Sequence, residues 1–316
     1  MKFDAETKNL DAEILEFIRG HAARDADDAE FGALALKIFD YQFKRNVLYR
    51  RFCLLEGKRP SAVKDWREIP AMPSAGFKEL VLTGVNIGTY EQESRTLLDV
   101  VDALNDLGLP RVRISSIEPT TVDDRLLERM ADPQHNLVPY LHLPLQSASD
   151  KVLSWMNRHY TAADYSAFIH KVKRRVPGVM IGTDILAGVP AEREEDFLDT
   201  LHFLRDQPLD YAHAFTYSER EGTPAAREVQ VPPDVRKERT LRIMSQSLAK
   251  RAEFAGPWLG REVELLVEEH AEGYWQGRTD NFMLVKFQAS GDMQNQFVRV
   301  RVAEVCGEWV RGELCD

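Results

Sequence analysis

The chain is poor in cysteine: Cys53, Cys306 and Cys315 are the only three among 316 residues. They lie far apart and form no C-x-x-C pair, which argues against a disulfide framework and a zinc knuckle. No apolar run approaches the roughly 18 residues that cross a bilayer, and the acidic start MKFDAETKNLDAE does not have the pattern of a secretory signal. We therefore expect a cytoplasmic protein.

Positive charge is also in short supply. The formal net charge is −10, which opposes loose binding to a polyanion, so a nucleic-acid partner would have to be held by local basic patches. The run HKVKRR, residues 170–175, is one such patch. Hydrophobic residues make up 44% of the chain, which is enough for a full core spread over two or three domains.

The first part of the chain has a helical pattern. Apolar residues three and four apart in LDAEILEFIRGHA and FGALALKIFDYQFKRNVLYRRFCLLEG predict helices between Ala5 and about Leu80, with Gly57 ending the second. Cys53 lies on an apolar stripe and is predicted to pack in a core. Pro70 and Pro73 predict an extended connector, and we place a domain boundary near residue 80.

Residues 81–256 alternate short strands with amphipathic helices. The predicted strands are VLTGV, RVRISSIEP, NLVPYLHLPLQ, VMIGTDILAGVP and DYAHAFTYS. Thr121 is predicted to cap one intervening helix, and Ser147 or Ser149 the helix SASDKVLSWM. Five strands without a hairpin signal between them are typical of a parallel α/β sheet or barrel.

Ligands of parallel sheets collect at the carboxyl ends of the strands, where this sequence places polar side chains. Several also have a structural explanation: Glu118 and Asp184 as helix caps or salt-bridge partners, and Ser147 as a helix cap. His142 and His213 lie inside strand patterns and are predicted to be satisfied core histidines, because no carboxylate or cysteine stands at metal-ligand spacing.

The tail, residues 257–316, follows a charged helix that begins after Pro232 and Pro233. It alternates apolar and polar residues and breaks at glycines, which predicts a small antiparallel β-barrel. Acidic residues outnumber basic ones by eleven to six between Arg261 and Asp316. Any contact of this domain with RNA is therefore expected to be weak.

Five motifs carry a family resemblance. LTGVNIGTY, RISSIEP, HLPLQSASDKVLSWMNRHY, GTDILAGVPAEREEDF and HAFTYSEREGTPAA, in this order, resemble the radical S-adenosylmethionine methylthiotransferases of tRNA, most closely the branch that modifies N6-threonylcarbamoyladenosine. GYWQGRTDNFMLVKF is similar to the TRAM domain with which those enzymes hold RNA. The resemblance covers about residues 78–316. It implies a partial (βα) barrel of radical SAM type, with S-adenosylmethionine and [4Fe–4S] clusters as cofactors and tRNA as partner.

The resemblance also implies roles for individual residues. The predicted cofactor-binding residues are Asn86, Ser116, Glu118, Gln146, Ser147, Arg158, Asp184 and Gly188. The predicted RNA-binding residues are Trp275, Arg278, Thr279, Phe282 and Lys286. Aromatic faces stack on bases and basic groups meet phosphates, so this composition suits RNA. The alternative is that Trp275 and Phe282 pack the small barrel.

The cluster-binding cysteines of that family have no counterpart here. The family's C-x-x-x-C-x-x-C follows its first barrel strand, whereas the resemblance of this chain starts at the second strand. Because clusters require thiolate ligands, we expect no cluster on this chain, no metal site and no catalysis by the chain alone. Any catalytic residue is therefore left unassigned.

Residues 5–80 instead resemble the N-terminal part of acyl-protein synthetase, which suggests an in-frame fusion or a replaced domain. Two other hypotheses stay open. The chain is an RNA-binding module without catalysis, or it is an acyl-protein synthetase-like fragment. The second lacks that family's phosphate-binding loop.

Overall fold

The computed structural model describes residues 5–20, 28–45, 50, 53–54, 57–69, 77–84, 86–92 and 94–315. Contacts between residues divide the chain into two compact units, Met1–Phe77 and Lys78–Asp316. The regions 81–256 and 257–316, which the sequence predicts as separate domains, lie together in the second unit.

The described residues of the first unit include the helices α1 (Ala5–Gly20) and α2 (Asp28–Arg45). Helix α2 has acidic residues in its first turn and basic residues in its last turn, and these charges stabilise the helix by interacting with its dipole. Cys53 is fully buried in a small core with Phe39 and Val63, which confirms its predicted packing. Much of the predicted continuation towards Gly57, and the connector at 70–76, lie outside the described residues.

The second unit begins with a parallel sheet, as predicted. Its strands are β1 (Glu79–Leu82), β4 (Arg111–Ile114), β5 (Tyr140–His142), β6 (Met180–Ala187) and β7 (Tyr211–Thr216). Strand β1 pairs with β4, and β5, β6 and β7 pair in that order. Parallel bridges from Val112 to Leu137 and from Ser116 to His142 connect β4 to β5. A short antiparallel pair, β2 (Glu91–Gln92) with β3 (Arg95–Thr96), was absent from the prediction.

Helices α3 (Leu97–Asp106), α4 (Asp124–Ala131), α5 (Asp150–Trp155), α6 (Ala162–Arg175) and α7 (Glu194–Asp206) connect these strands. The prediction that Thr121 caps α4 is wrong. Asp123 is the cap, because its carboxylate accepts from the free Arg125 N–H, whereas the Thr121 hydroxyl donates to the Glu118 carbonyl. The Ser149 hydroxyl caps α5, one of the two predicted alternatives.

Helix α8 (Pro233–Ala255) covers the free edge of β7. The Ser247 hydroxyl accepts from the Ala212 N–H at 2.9 Å and donates to the Ala212 carbonyl at 2.8 Å. One side chain therefore satisfies both backbone groups of Ala212, which another strand would otherwise bind. Within the described residues, no helix combines the length and apolar character needed to cross a membrane.

The tail forms a closed barrel of five strands, β8 (Glu262–Ala271), β9 (Tyr274–Thr279), β10 (Leu284–Phe287), β11 (Phe297–Cys306) and β12 (Trp309–Leu314). The prediction of a purely antiparallel barrel is wrong in one pairing: β10 and β12 run parallel. The reason is geometric. Strand directions cannot alternate all the way round a ring with an odd number of strands.

The parallel sheet and the closed barrel share a hydrophobic core. Tyr140, Met180 and Tyr211 of the sheet pack in the same cluster as Val285 and Phe287 of the barrel. Two buried arginines of β4 reinforce this contact by donating to backbone carbonyls of the barrel. The sheet and the barrel therefore form one unit.

Candidate functional site

A cavity of about 590 Å³ lies at the carboxyl ends of β1, β4 and β5, and we call it the strand-end cavity. Its lining includes four of the residues predicted to bind the cofactor: Asn86, Ser116, Glu118 and Arg158. Asn86 follows β1, and Ser116 and Glu118 follow β4. Arg158 follows helix α5, so three segments of the chain meet at this edge of the sheet. The volume lies within the range of small-molecule sites.

An ion pair between Glu118 and Arg158 is the main charged feature of this cavity. Both side chains are half-buried. A carboxylate accepts several hydrogen bonds and a guanidinium donates up to five, so the pair keeps capacity for a polar ligand. The neighbouring Tyr160 hydroxyl donates to the Pro144 carbonyl at 2.8 Å, and burial raises the pKa of Tyr160 to about 12. Tyr160 is therefore neutral at physiological pH.

Three other predicted residues stand at strand ends but do not line this cavity. Gln146 has a φ of +72°, and its N–H donates to the Asp184 carbonyl at 2.7 Å. The Ser147 hydroxyl is buried against the Thr200 hydroxyl at 3.1 Å. Gly188 has a φ of +79°, and a Cβ there would lie 2.4 Å from the Arg236 side chain. These contacts fix the local backbone and side-chain conformation of Gln146, Ser147 and Gly188. A role of these three residues in cofactor binding stays a prediction.

A second cavity of about 500 Å³, the inner cavity, lies between the sheet and the closed barrel. Asp184 lines it together with Arg278 and Phe282, and Ser116 lines both cavities. Asp184 therefore faces a different cavity from Asn86, Glu118 and Arg158. The structure groups Asp184 with two residues that the sequence assigns to RNA.

A hydrogen-bond network in the inner cavity was missed by sequence reasoning. His142 Nε2 lies 2.9 Å from the Asp184 carboxylate, and His142 Nδ1 lies 3.1 Å from the Tyr211 hydroxyl. The Tyr211 and Tyr140 hydroxyls are 2.6 Å apart. Partial burial and the nearby His142 lower the pKa of His213. The strand register, which pairs His142 with Gly182, explains the contact because it places Asp184 two residues further along the adjacent strand.

The residues predicted to bind RNA are partly occupied with packing. Trp275 and Phe282 pack against the core shared by the sheet and the barrel. Thr279 is 2% exposed, and its hydroxyl bonds to Asn281. Lys286 lies over the Trp309 ring at 5.2 Å. These contacts match the packing alternative for Trp275 and Phe282, and RNA contact stays a prediction.

Three of the four Lys and Arg residues in the basic run HKVKRR form ion pairs in the folded chain. Lys171 and Arg175 both pair with Asp124, and Lys173 pairs with Asp210. Burial raises the pKa of Asp210, and Lys173 opposes that rise. This run is therefore a poor candidate for a nucleic-acid surface.

The thiols of the chain do not fit an iron–sulfur cluster. Cys306 ends β11, Cys315 follows β12, and Cys53 is buried in the first unit. None of the three lines the strand-end cavity or the inner cavity. A [4Fe–4S] cluster needs a group of thiolates at one place, which these positions do not provide.

Comparisons with known proteins find similarity to the same enzyme family that the sequence motifs resemble. Residues 60–204 match the radical SAM superfamily. Threonylcarbamoyladenosine tRNA methylthiotransferase MtaB of Bacillus subtilis is 35% identical over 272 residues, which cover 83% of this chain and 59% of that protein. The tRNA-2-methylthio-N(6)-dimethylallyladenosine synthase of Anoxybacillus flavithermus is 36% identical over 258 residues, covering 79% of this chain and 49% of that protein.

The chain thus spans about half the length of the curated relatives it matches. Among solved structures, the radical SAM enzyme coproporphyrinogen III oxidase (HemN) of Escherichia coli has a TM-score of 0.35 and 17% identity. That alignment covers 46% of this chain and 32% of HemN. A similarity this low carries no argument.

Proposed function

Because the radical SAM match and the homology to tRNA methylthiotransferases support that family, we propose that the chain is the cofactor- and tRNA-binding part of such an enzyme. The proposed reaction is methylthiolation of N6-threonylcarbamoyladenosine. The observation that carries the proposal is the strand-end cavity, which collects Asn86, Ser116, Glu118 and Arg158 from three of the motifs. The closed barrel is proposed to be a TRAM domain.

The polar residues of the strand-end cavity fit S-adenosylmethionine. We assign the Glu118 carboxylate to the ribose hydroxyls or the amino group, and the Arg158 guanidinium to the carboxylate of the methionine part. The bound molecule would supply the methyl group. The three cysteines, in contrast, do not fit an iron–sulfur cluster. We therefore propose that the chain by itself is catalytically silent.

Binding of S-adenosylmethionine, measured by isothermal titration calorimetry, tests the cofactor site. We expect Glu118→Gln to weaken binding roughly 10- to 100-fold, since a hydrogen bond to a charged group contributes about 1.5–3 kcal/mol. Glu195→Gln is the matched control, because Glu195 is also paired with an arginine but is exposed on α7. Equal affinities of Glu118→Gln and Glu195→Gln for S-adenosylmethionine would contradict the assignment of the cofactor site.

Catalytic silence is tested by anaerobic reconstitution with iron and sulfide. Iron content and formation of 5′-deoxyadenosine from S-adenosylmethionine are the readouts. Background values of both are expected. A stoichiometric cluster with turnover would contradict the proposal.

The tRNA partner is tested separately, by electrophoretic mobility shift of a tRNA anticodon stem-loop. Weak binding that falls on Trp275→Ala and Arg278→Ala is expected. Binding that ignores S-adenosylmethionine would favour the alternative of an RNA-binding module. Residues 5–80 are proposed to be an acyl-protein synthetase-like segment without that family's activity, and ATP–pyrophosphate exchange by the chain would overturn this.

A further inference from the structure

The inner cavity adjoins the strand-end cavity. Ser116 lines both, so a molecule in the inner cavity would lie beside the cofactor that the proposed function assigns to Glu118 and Arg158. The volume of about 500 Å³ is within the range of small-molecule sites. The inner cavity is therefore a place where part of a substrate could meet that cofactor.

Charged side chains and histidines dominate the lining of the inner cavity. They make up seven of its 13 lining residues, among them Asp184, His213 and Arg278. The rings of Tyr140 and Phe282, with centres 4.4 Å apart, form its aromatic part. A hydrocarbon group placed here would desolvate polar groups without giving them hydrogen bonds, which is unfavourable. The lining therefore favours a ligand that has polar groups of its own.

The two arginines of the inner cavity differ in how far their donors are used. The guanidinium carbons of Arg113 and Arg278 lie 4.9 and 4.1 Å from the centre of the Phe282 ring. Arg113 donates to the Glu79 carboxylate at 2.8 and 3.0 Å and to two backbone carbonyls of the closed barrel. Arg278 donates to the Phe282 carbonyl at 3.3 Å. A guanidinium has five N–H donors, so Arg278 keeps donors for a ligand.

Glu268 competes only weakly for the Arg278 guanidinium. The contact of 3.7 Å between them is long for an ion pair. Partial burial raises the pKa of Glu268, and the nearby carboxylate of Glu79 raises it further, while Arg278 lowers it. A ligand carboxylate could therefore approach Arg278 more closely than Glu268 does.

His213 gives the same cavity an uncharged donor and acceptor. Its ring centre lies 5.4 Å from that of His142. Partial burial and the nearby His142 lower the pKa of His213, so its imidazole is neutral at physiological pH. A neutral imidazole has one N–H donor and one acceptor nitrogen, and no group in the described part of the chain forms a hydrogen bond with this ring. His213 therefore suits a hydroxyl or carbamoyl group of a ligand.

We propose that the inner cavity holds the N6 substituent of the substrate adenosine, and that Arg278 and His213 select a substituent with a carboxylate over a hydrocarbon one. Arg278 binds the carboxylate of a threonylcarbamoyl group, and His213 binds its carbamoyl or hydroxyl group. A dimethylallyl group offers neither side chain a partner, and a site built for hydrogen bonds rejects a ligand that lacks them. This inference rests on the proposed function and assigns two residues that determine its substrate specificity.

Fluorescence anisotropy of the full chain with three anticodon stem-loops tests the proposal. The stem-loops share one sequence and differ at N6 of one adenosine, which is unmodified, dimethylallylated or threonylcarbamoylated. Their phosphates are identical, so the ratio of affinities reports on the N6 group alone. The wild type is expected to bind the threonylcarbamoyl form roughly 10- to 100-fold more tightly than the dimethylallyl form.

The variants assign this preference to residues. Arg278→Gln is expected to reduce the preference about tenfold or more, and Arg278→Lys, which keeps the charge without the planar fork, to reduce it less. His213→Phe keeps a ring without the polar nitrogens and should lose a smaller part of the preference. Arg301→Gln is the matched control, because Arg301 also lies on the closed barrel but is exposed and paired with Glu262. Circular dichroism melts establish that each variant is folded.

The outcomes separate this inference from the proposed function. Equal affinities of the wild type for the threonylcarbamoyl and dimethylallyl stem-loops would overturn the inference and leave the proposed function standing. A loss on Arg278→Gln that is equal for all three stem-loops would assign Arg278 to the RNA backbone, and it would also overturn the inference. Absence of binding to every stem-loop would contradict the proposed tRNA partner as well as the inference.

Discussion

Replacing Gly182 by alanine should strongly destabilise the second unit. Gly182 lies in β6, where its Cα faces the ring of Tyr211 on β7. A Cβ at this position would stand 2.1 Å from Cζ and 2.3 Å from the hydroxyl oxygen of Tyr211. Ordinary carbon contacts are about 3.5–4.0 Å, so the ring or the strand would have to move by more than an ångström.

The ring has little room to move. Tyr211 is 0% exposed, Arg251 covers one face, and its hydroxyl is bound to Tyr140 and His142. We therefore expect the free energy of unfolding to fall by about 3 kcal/mol, at the upper end of the range for overpacked cores. This corresponds to a roughly 150-fold change in the folding equilibrium.

Urea unfolding followed by far-UV circular dichroism measures this change. Gly256→Ala is the control, since Gly256 has helical dihedrals and a Cβ there would meet no atom within 4 Å, and it should be neutral or stabilising by about 0.4–1 kcal/mol. Combining Gly182→Ala with Tyr211→Ala should recover at least about 1 kcal/mol of the summed losses, because the two side chains clash only when both are present. A loss below about 1 kcal/mol for Gly182→Ala alone would refute the reasoning.

Three further predictions concern charge and capping. The hydrogen bond from Arg129 holds the pKa of Asp102 below its ordinary value of 3.8, so the ionised carboxylate stabilises the fold fully above that pH and loses this contribution as the pH falls through the folded-state pKa. The difference in unfolding free energy between wild type and Asp102→Asn should therefore shrink below about pH 4. A difference that grows there would contradict the prediction. Burial, His142 and Arg251 keep the pKa of His213 below 6.5, and an NMR titration of the wild type should give a pKa below that value. Arg251→Gln should raise the pKa of His213. The same pKa in wild type and variant would count against the position of Arg251 near His213. Ser149→Ala removes both the cap of α5 and a buried hydrogen bond of 2.6 Å to Asp196, and should lower the unfolding free energy by about 1–3 kcal/mol in the same urea titration. Ser154→Ala, on the exposed side of α5, should change the unfolding free energy little.

The order of strands and helices in the second unit was determined by the sequence. Alternating apolar patterns and turn residues act over a few neighbouring positions, so the five parallel strands, the helices between them and the barrel of the tail could be predicted without tertiary information. The position of Asn86, Ser116 and Glu118 at the ends of strands could be predicted as well. The carboxyl ends of parallel strands meet at one edge, and the motifs identify which loops lie there.

Only the tertiary structure decided which strand-end residues face a cavity and which serve the backbone. Gln146 and Gly188 have left-handed backbone conformations, and Ser147 is bound by Thr200 from α7, a residue 53 positions away. The His142–Asp184 contact depends on the register of β5 against β6, and the position of Arg251 over Tyr211 depends on how α8 lies along β7. Such contacts join residues that are distant in sequence. Their geometry is set by packing and strand register, which local patterns in the chain do not encode.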